Sequence, residues 1–240
     1  MPVYWLPDNP RIFPDPELAA PDGLVALGGD LCVDRLLTAY SRGIFPWYGE
    51  GLPILWWSLD PRCVLFPENL HVSRSLRKAV DSRRFQVTLD TAFPQVIREC
   101  AKAPRPQGDG TWIVEEMVQG YIDLHEAGFA HSVEAWLESG KGPELVGGLY
   151  GVSLGKAFFG ESMFHTEPDA SKVALVHLVE QLTCWGFTLV DCQQTTEHML
   201  RFGAREIPRR AFNRLLAEAI DYPTRKGKWA LDGQDPHKEV

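Results

Sequence analysis

Residues 155–193, "GKAFFGESMFHTEPDASKVALVHLVEQLTCWGFTLVDCQ", decide the fold of this chain. A strand-like apolar run opens the stretch, a helical pattern follows over 170–185, and a short apolar strand closes it at 187–193. Asp169 is the expected N-cap of the helix, and Gly186 lies just beyond its end. This order predicts a βαβ crossover, in which the two strands run parallel with a right-handed connection.

The crossover brings polar side chains to one edge of the sheet. Because side chains alternate along a strand, Phe159, Glu161 and Met163 are expected to share one face, and Asp191 and Gln193 to share a face of the second strand. Both acids come late in their strands, at the carboxyl edge where open α/β sheets bind ligands. We predict a cleft in which two carboxylates and an amide meet. The alternative is that Glu161 pairs with a buried Lys or Arg and Asp191 begins a loop.

The rest of the chain divides into two parts. Residues 1–62 are rich in Pro, Gly and Trp, which indicates a small, irregular N-terminal domain with one short helix over 34–42. Residues 63–240 are predicted to form the larger domain, with helices at 72–85, 93–101, 114–128, 196–203 and 208–220 and further strands at 129–137 and 144–154. The predicted fold class is α+β, with an α/β-like mixed sheet.

Bulk properties exclude several classes of protein. No apolar run approaches about 20 residues, and the first residues lack the pattern of a signal peptide, so we expect a cytoplasmic protein without a membrane span. The five cysteines are scattered and include no CxxC pair, which predicts neither a disulfide framework nor a metal site. The net charge of −8 argues against a surface that is basic throughout.

Two local features leave alternatives open. A basic stretch within the helix at 72–85 is either a solvated face or a contact for phosphates; it comprises Arg74, Arg77, Lys78, Arg83 and Arg84. Trp47 and Trp112 lie in Gly- and Pro-rich loops, where a tryptophan either joins the core or stacks on a nucleobase. The glycines of "VGGLYG" (146–151) do not precede a helix, so they indicate tight strand packing or close ligand approach, not a phosphate loop.

Several of these segments together resemble a known family. They are "GLVALGGDL", "YSRGIFPWY", "ILWWSLDPR", "HVSRSLRK", "GTWI", "HSVEAW", "LVGGLYGVSLGKAFFGESMF", "DASK", "DCQ" and "GAREIPRR". In this order, from about residue 13 to residue 212, they resemble the bacterial leucyl/phenylalanyl-tRNA–protein transferases. The resemblance implies transfer of Leu or Phe, less readily Met, from charged tRNA to the N-terminal amine of proteins that begin with Arg or Lys. The product would be marked for degradation by the N-degron pathway.

The resemblance also implies a GNAT-like acyltransferase fold for the C-terminal domain, without the acetyl-CoA loop of that fold and without any cofactor or metal. The implied catalytic residues are Glu161, Asp191 and Gln193, and Trp47 and Trp112 would hold the terminal adenosine of the tRNA. The implied pocket for the donor side chain is apolar and consists of Leu149, Met163, Leu175, Leu178, Leu182, Val190 and Cys192. The basic helix would contact the tRNA phosphates.

Two rival functions remain open on the residues alone. A hydrolase would use Glu161 and Asp191 as an acid/base pair, and a non-catalytic module would bind RNA or peptide. For the transferase, we expect Asp191 to orient Gln193, which positions the acceptor amine, and both acids to attract the cationic N-terminal residue. The proton acceptor stays open between the tRNA ribose hydroxyl and water.

Overall fold

The computed structural model describes residues 4–103 and 113–232. The N-terminal part holds a small antiparallel sheet, whose strands β1 (Leu24–Leu27), β2 (Phe45–Pro46) and β3 (Leu55–Trp57) lie in the order β1-β3-β2. Helix α1 (Val33–Ser41) joins β1 to β2, and a 3-10 helix (Pro16–Leu18) precedes them. The short elements between many Pro and Gly residues agree with the irregular region predicted here.

A seven-stranded sheet forms the rest of the molecule. Its strand order is β10-β4-β9-β8-β7-β6-β5. The bounds are β4 (Arg62–Leu65), β5 (Phe85–Leu89), β6 (Ala130–Ser139), β7 (Gly142–Leu154), β8 (Ala157–His165), β9 (Leu189–Gln193) and β10 (Arg205–Ile207). The pair β8–β9 is parallel, and the other neighbours pair antiparallel. The predicted crossover and the mixed sheet are therefore confirmed.

Helices cover both faces of this sheet. One face packs against α1, α3 (Phe93–Lys102), α4 (Glu115–Glu126) and α7 (Arg209–Ile220). We call it the tyrosine face because Tyr40 of α1 and Tyr121 of α4 lie in the core between it and these helices. The other, the α5 face, packs against α2 (Arg74–Asp81) and α5 (Ala170–Cys184), the crossover helix. A short helix, α6 (Glu197–Arg201), follows β9. Nowhere in residues 4–103 and 113–232 is a helix both long and apolar enough to cross a membrane.

One helix boundary was predicted wrongly, and the N-cap of α5 is confirmed in position only. The helix expected over 72–85 ends at Asp81, because Arg83 adopts a left-handed φ of 52° and Phe85 begins β5. Asp169 occupies the N-cap position of α5 in a left-handed conformation, and its side chain makes no capping hydrogen bond. It pairs instead with Lys172 at 2.8 Å.

The glycines of β7 serve close packing. A Cβ at Gly147 would lie 2.6 Å from the Cβ of Ala170, at the start of α5. A Cβ at Gly151 would lie 2.2 Å from the carbonyl oxygen of Phe159 on the neighbouring strand. Of the two alternatives for these glycines, the structure supports tight strand and helix packing, which seats α5 against the sheet beside the crossover.

Candidate active site

The two parallel strands of the crossover separate at the carboxyl edge of the sheet. Their ladder ends with the pair Phe159↔Asp191, although β8 continues to His165 and β9 continues to Gln193 alongside β4. We call the gap between residues 160–165 and residues 192–193 the β8–β9 opening. Glu161 and Gln193 face each other across it, and the Nε2 of Gln193 donates to Glu161 Oε1 at 3.4 Å. The predicted meeting at one edge is confirmed for Glu161 and Gln193 but not for the Asp191 carboxylate, which pairs with Arg62.

A β-bulge decides which way Glu161 points. In the β7–β8 ladder Tyr150 pairs with Ser162 and Gly151 pairs with Gly160, so Glu161 is the extra residue. The bulge resets the alternation, and Met163 packs on the α5 face whereas Phe159 packs on the tyrosine face. The prediction that Glu161 and Met163 share a face is therefore wrong, because alternation holds only within an unbroken ladder.

Two tyrosines hold the Glu161 carboxylate. Tyr40 of α1 donates to its Oε1 at 2.7 Å, and Tyr121 of α4 donates to its Oε2 at 2.9 Å. Both tyrosines are fully buried. Burial raises the pKa of Glu161 to about 7, although the two hydroxyl donors oppose the shift. The alternative in which Glu161 pairs with a buried Lys or Arg is wrong, since its partners are neutral hydroxyls and an amide.

The three side chains form a closed ring of oxygen contacts, because the hydroxyls of Tyr40 and Tyr121 also contact each other. Burial raises the pKa of both tyrosines well above the usual value, so each keeps its proton. When Glu161 is ionised, the two tyrosine hydroxyls supply two protons for the three oxygen–oxygen contacts. When Glu161 is neutral, its carboxyl group supplies a third proton, so that each contact can be a hydrogen bond. The ring can therefore take up or release one proton near neutral pH.

Asp191 is bound by Arg62 and turned away from solvent. The Nε and Nη2 of Arg62 donate to the two oxygens of Asp191 at 2.8 and 2.7 Å, and both side chains are fully buried. The guanidinium lies between the rings of Phe45 and Phe212, at 4.8 and 4.5 Å from their centroids. Asp191 therefore cannot contact a substrate side chain directly, and the expectation that it attracts the acceptor's cation is wrong.

Asp191 instead acts on the backbone of Gln193. Its Oδ1 accepts the backbone N–H of Gln193 at 3.0 Å, and Gln193 adopts a left-handed φ of 51°. A left-handed conformation is costly for a residue other than glycine and persists when its surroundings hold it. The predicted orientation of Gln193 by Asp191 agrees with this contact, and Arg62 is part of the same arrangement.

The seven residues expected to form an apolar pocket all lie on the α5 face, in one cluster. Five of them, Leu149, Leu175, Leu178, Leu182 and Val190, are buried. Met163 and Cys192 are partly exposed and border the β8–β9 opening. The apolar cluster and the tyrosine-bound carboxylate thus lie on opposite faces of the sheet, and both include residues that border the β8–β9 opening.

The residues expected to contact RNA are only partly brought into this arrangement. Trp47 is partly exposed, packs against the tyrosine-face core, and accepts a hydrogen bond on its carbonyl from Trp57 Nε1 at 2.7 Å. Trp112 lies outside the described residues. In the basic stretch, Arg77 pairs with Glu180 at 2.9 Å and Arg84 with Glu167 at 2.6 Å. The remaining basic side chains, Arg74, Lys78 and Arg83, are exposed.

Sequence reasoning missed three residues of the site. Tyr40 and Tyr121 lie in predicted helices, and Arg62 follows the motif "WWSLDP". A tyrosine on the buried face of a helix needs a hydrogen-bond partner for its hydroxyl, and this need could have marked Tyr40 and Tyr121. The sequence spacing does not show which residue that partner is. In the parts of the chain that the structure describes, no group of three or more His, Cys, Asp and Glu side chains could hold a metal ion.

Comparison with known proteins identifies the family. A family model described as leucyl/phenylalanyl-tRNA protein transferase matches residues 64–217, and a model of the N-terminal domain of that family matches residues 29–60. A leucyl/phenylalanyl-tRNA–protein transferase from Anaeromyxobacter sp. (strain Fw109-5) is 60% identical over 235 residues, 98% of each chain. One from Myxococcus xanthus is 61% identical over 230 residues, covering 95% of this chain and 97% of the relative. The chain belongs to the leucyl/phenylalanyl-tRNA–protein transferase family.

A leucyl/phenylalanyl-tRNA–protein transferase is an enzyme, and its name implies an aminoacyl-tRNA and a protein as substrates. This sets aside the hydrolase and the non-catalytic binding module. Two solved structures are similar at a low level. L-PGS from Bacillus licheniformis has a TM-score of 0.37 at 13% identity and covers 67% of this chain and 50% of its own. A conserved protein of unknown function from Staphylococcus epidermidis has a TM-score of 0.42 at 12% identity, covering 77% and 68%.

Proposed function

We propose that this transferase moves Leu or Phe, less readily Met, from charged tRNA to the N-terminal amine of proteins that begin with Arg or Lys. Its products would enter the N-degron pathway. One observation carries the proposal: Gln193 faces the tyrosine-bound carboxylate of Glu161 across the β8–β9 opening at 3.4 Å, with an apolar cluster on the opposite face of the sheet. The donor side chain needs an apolar surface, and the ester carbonyl and the acceptor amine need polar groups such as Gln193 and Glu161 next to it.

The donor occupies the α5 face and the opening in this proposal. Its Leu or Phe side chain fits the apolar cluster of Leu175, Leu178 and Leu182, and its ester carbonyl lies in the opening. Trp47 and Trp112 stack on the terminal adenosine, and the basic side chains of the helix and of the turn after it contact phosphates, which give no sequence preference. Branching at Cβ, as in Ile, crowds this cluster, and such a mismatch costs about 1–3 kcal/mol.

The acceptor amine approaches from the tyrosine face. The reaction forms a C–N bond and breaks the C–O bond of the ester. The acceptor's ammonium group must therefore lose two protons, one before it attacks and one that ends on the ribose oxygen. An α-amine has a pKa of about 7.8, which is close to the pKa of about 7 for Glu161, and proton transfer is efficient between groups matched in this way. We assign Glu161, rather than water, as the proton acceptor. Its ionised form also attracts the Arg or Lys side chain.

Gln193 positions the amine and the carbonyl. The amide Nε2 of Gln193 points to Glu161, so its Oε1 is the atom offered to an N–H of the acceptor. Asp191 holds the backbone of Gln193, and Arg62 in turn fixes Asp191. Positioning is the larger part of the catalysis here, because an aminoacyl ester is already activated and orientation alone can supply about 7–11 kcal/mol.

Three coarser features belong to the same proposal. The parallel strands that separate at their carboxyl ends support a GNAT-like fold for residues 63–240, with residues 1–62 as a separate small domain. The small sheet lies wholly within those first residues, whereas β4 begins at Arg62 and joins the large sheet. Since charged tRNA is made in the cytoplasm, the proposed tRNA substrate supports a cytoplasmic location for the enzyme.

One assay tests the proposed function. Phe-tRNA carrying radiolabelled Phe is incubated with the enzyme and a peptide that begins with Arg, and labelled peptide is measured. Matched peptides begin with Glu, or with an acetylated Arg, and should stay unlabelled. The variant Gln193→Ala should bind Phe-tRNA normally and transfer about a hundredfold more slowly. Release of free Phe without labelled peptide, or equal transfer to the acetylated peptide, would contradict the proposal.

A further inference from the structure

Residues 221–232, which we call the C-terminal segment, cross the edge of the large sheet opposite the β8–β9 opening. The segment forms no helix or strand. The Oγ1 of Thr224 accepts the backbone N–H of Gly155 at 2.9 Å, in the turn that leads into β8. The backbone N–H of Gly227 donates to the carbonyl of Gly128 at 3.2 Å, just before β6 begins. Because β6 and β8 both start at this edge, the segment lies at the end of the sheet farthest from the opening.

Trp229 of the C-terminal segment is a buried anchor. Only 2% of its surface is exposed, and its backbone N–H donates to Asp90 Oδ2 at 2.7 Å. Its ring stacks on the imidazole of His131, with 3.6 Å between the centroids and 7° between the planes. Its Nε1 donates to the carbonyl of Arg225 at 3.0 Å. These contacts fix both the position and the orientation of the indole.

The indole belongs to an aromatic layer on the α5 face. The centroid of its ring lies 4.9 Å from that of Trp185, 5.8 Å from that of Phe187 and 6.1 Å from that of Phe158. Aromatic rings with centroids about 4.5–7 Å apart are in favourable contact. Phe158 and Phe187 are buried in the same cluster as the residues proposed for the donor pocket. The layer therefore runs without a break from the C-terminal segment to strand β8.

This layer lies directly beyond the innermost residues of the proposed donor pocket. Phe158 pairs with Val190 in the β8–β9 ladder, three residues and about 10 Å along the strand from Glu161. Leu182 lies in the last turn of α5, and its carbonyl accepts the backbone N–H of Phe187 at 2.9 Å. A side chain that enters from the opening and passes Val190 and Leu182 therefore meets the aromatic layer.

We propose that Trp229 is a specificity-determining residue of this transferase, which limits the length of the donor side chain. It acts through Phe158, as a positioning residue, by holding the Phe158 ring in place at the inner end of the pocket. The ring is confined on β7 as well, since a Cβ at Gly151 would lie 2.6 Å from Phe158 Cζ. This role rests on the proposed function, because that function places the donor side chain in the α5-face cluster.

A smaller side chain at position 229 should deepen the pocket. Protein interiors are close-packed, so Trp229→Leu leaves a void next to Phe158, into which the Phe158 ring can turn. One methylene more or less in an apolar pocket changes the relative rates of two substrates by about 10–200-fold. We therefore expect the transfer of a longer aromatic donor, relative to that of Phe, to rise at least about tenfold in this variant.

The experiment compares two donors in the full-length enzyme. A tRNA that carries radiolabelled Phe, or radiolabelled 2-naphthylalanine with its additional fused ring, is incubated with a peptide that begins with Arg, and kcat/KM is measured for each donor. The ratio of naphthylalanine to Phe transfer should rise at least about tenfold in Trp229→Leu and by a smaller factor in Trp229→Phe.

Trp56→Phe is the matched control. Trp56 is fully buried in the tyrosine-face core, and its Nε1 also donates to a backbone carbonyl, that of Gly28 at 2.8 Å. The control should keep the wild-type ratio of the two donors, whatever stability it loses. Loss of stability alone lowers the transfer of both donors by the same factor, so the ratio separates a specificity role from a structural one.

An unchanged ratio in Trp229→Phe, or an equal rise in Trp56→Phe, would overturn the role of Trp229. Because Trp229→Phe keeps a ring at this position, a failure of Trp229→Leu to fold does not protect the proposal. An unchanged ratio in a variant that transfers Phe leaves the proposed function standing. A wild-type enzyme that transfers no Phe would contradict the proposed function, and the role of Trp229 with it.

Discussion

The hydroxyl of Tyr121 gives the sharpest test of how the site handles its proton. Tyr121→Phe removes one of the two hydroxyl donors to Glu161 and retains the ring, which packs edge-on against Tyr150 at 5.4 Å. A hydrogen bond to a charged group is worth about 1.5–3 kcal/mol. Since about 1.4 kcal/mol corresponds to one pKa unit, the pKa of Glu161 should rise by about one to two units in the variant.

The higher pKa of Glu161 in Tyr121→Phe should shift the pH profile of transfer towards higher pH. In the wild type, a pKa of about 7 leaves Glu161 about half ionised at pH 7. A pKa one unit higher leaves about a tenth ionised, so transfer at pH 7 should fall about fivefold. Because the carboxylate form is restored at higher pH, the ratio of wild-type to variant rates should shrink towards one as the pH approaches about 9.

The assay measures single-turnover transfer of Phe to a peptide that begins with Arg. Rates are taken between pH 6 and 9 and corrected for spontaneous ester hydrolysis. Tyr48→Phe is the matched control, since the Tyr48 hydroxyl donates to Glu116 at 3.1 Å and not to Glu161. The control should keep the wild-type profile. A uniform loss in Tyr121→Phe at every pH, or a profile shifted to lower pH, would refute the proton-accepting role of Glu161.

Two further predictions concern stability and RNA binding. Arg62→Ala leaves the charge of Asp191 buried without its cationic partner and should destabilise the protein by about 3–5 kcal/mol in denaturant unfolding. Arg77→Ala removes a half-exposed ion pair and should cost less than about 1 kcal/mol, and similar losses in the two variants would contradict the assigned burial. Arg74→Ala with Lys78→Ala should weaken binding of Phe-tRNA and Leu-tRNA alike and reduce the slope of log affinity against log salt by about one for each phosphate contact. An unchanged slope would contradict a contact between the basic helix and the tRNA phosphates.

The crossover was predictable because its signals are local. The change of period from two to about 3.6 and the Gly beyond the helix lie within residues 155–193, and they suffice to place Glu161 and Gln193 at one edge. Strands β4, β5 and β10 were not predicted, since strands of three to five residues depend on distant partners. The prediction that Met163 shares a face with Glu161 was wrong for a related reason. The spacing of apolar residues gives no signal for a β-bulge.

The hydrogen-bonded contacts of Tyr40 and Tyr121 with Glu161 could not be predicted from the sequence, for a different reason. Tyr40 and Tyr121 lie 81 residues apart, on helices that meet only when the N-terminal part packs against the large sheet. Each looks like a core aromatic in its own helix. Their shared contact with Glu161 explains how a carboxylate is tolerated among aromatic side chains: it lies at the border of an opening, with hydroxyl donors on both oxygens.

In the proposed mechanism the reacting ester lies in the β8–β9 opening, with the donor side chain on the α5 face and the proton acceptor on the tyrosine face. A crystal structure with a non-hydrolysable phenylalanyl-adenosine amide tests this arrangement most directly. The mechanism predicts the phenyl ring among Leu175, Leu178 and Leu182, and the amide carbonyl within hydrogen-bonding distance of Gln193. A phenyl ring bound on the tyrosine face, or a carbonyl remote from Glu161 and Gln193, would contradict it.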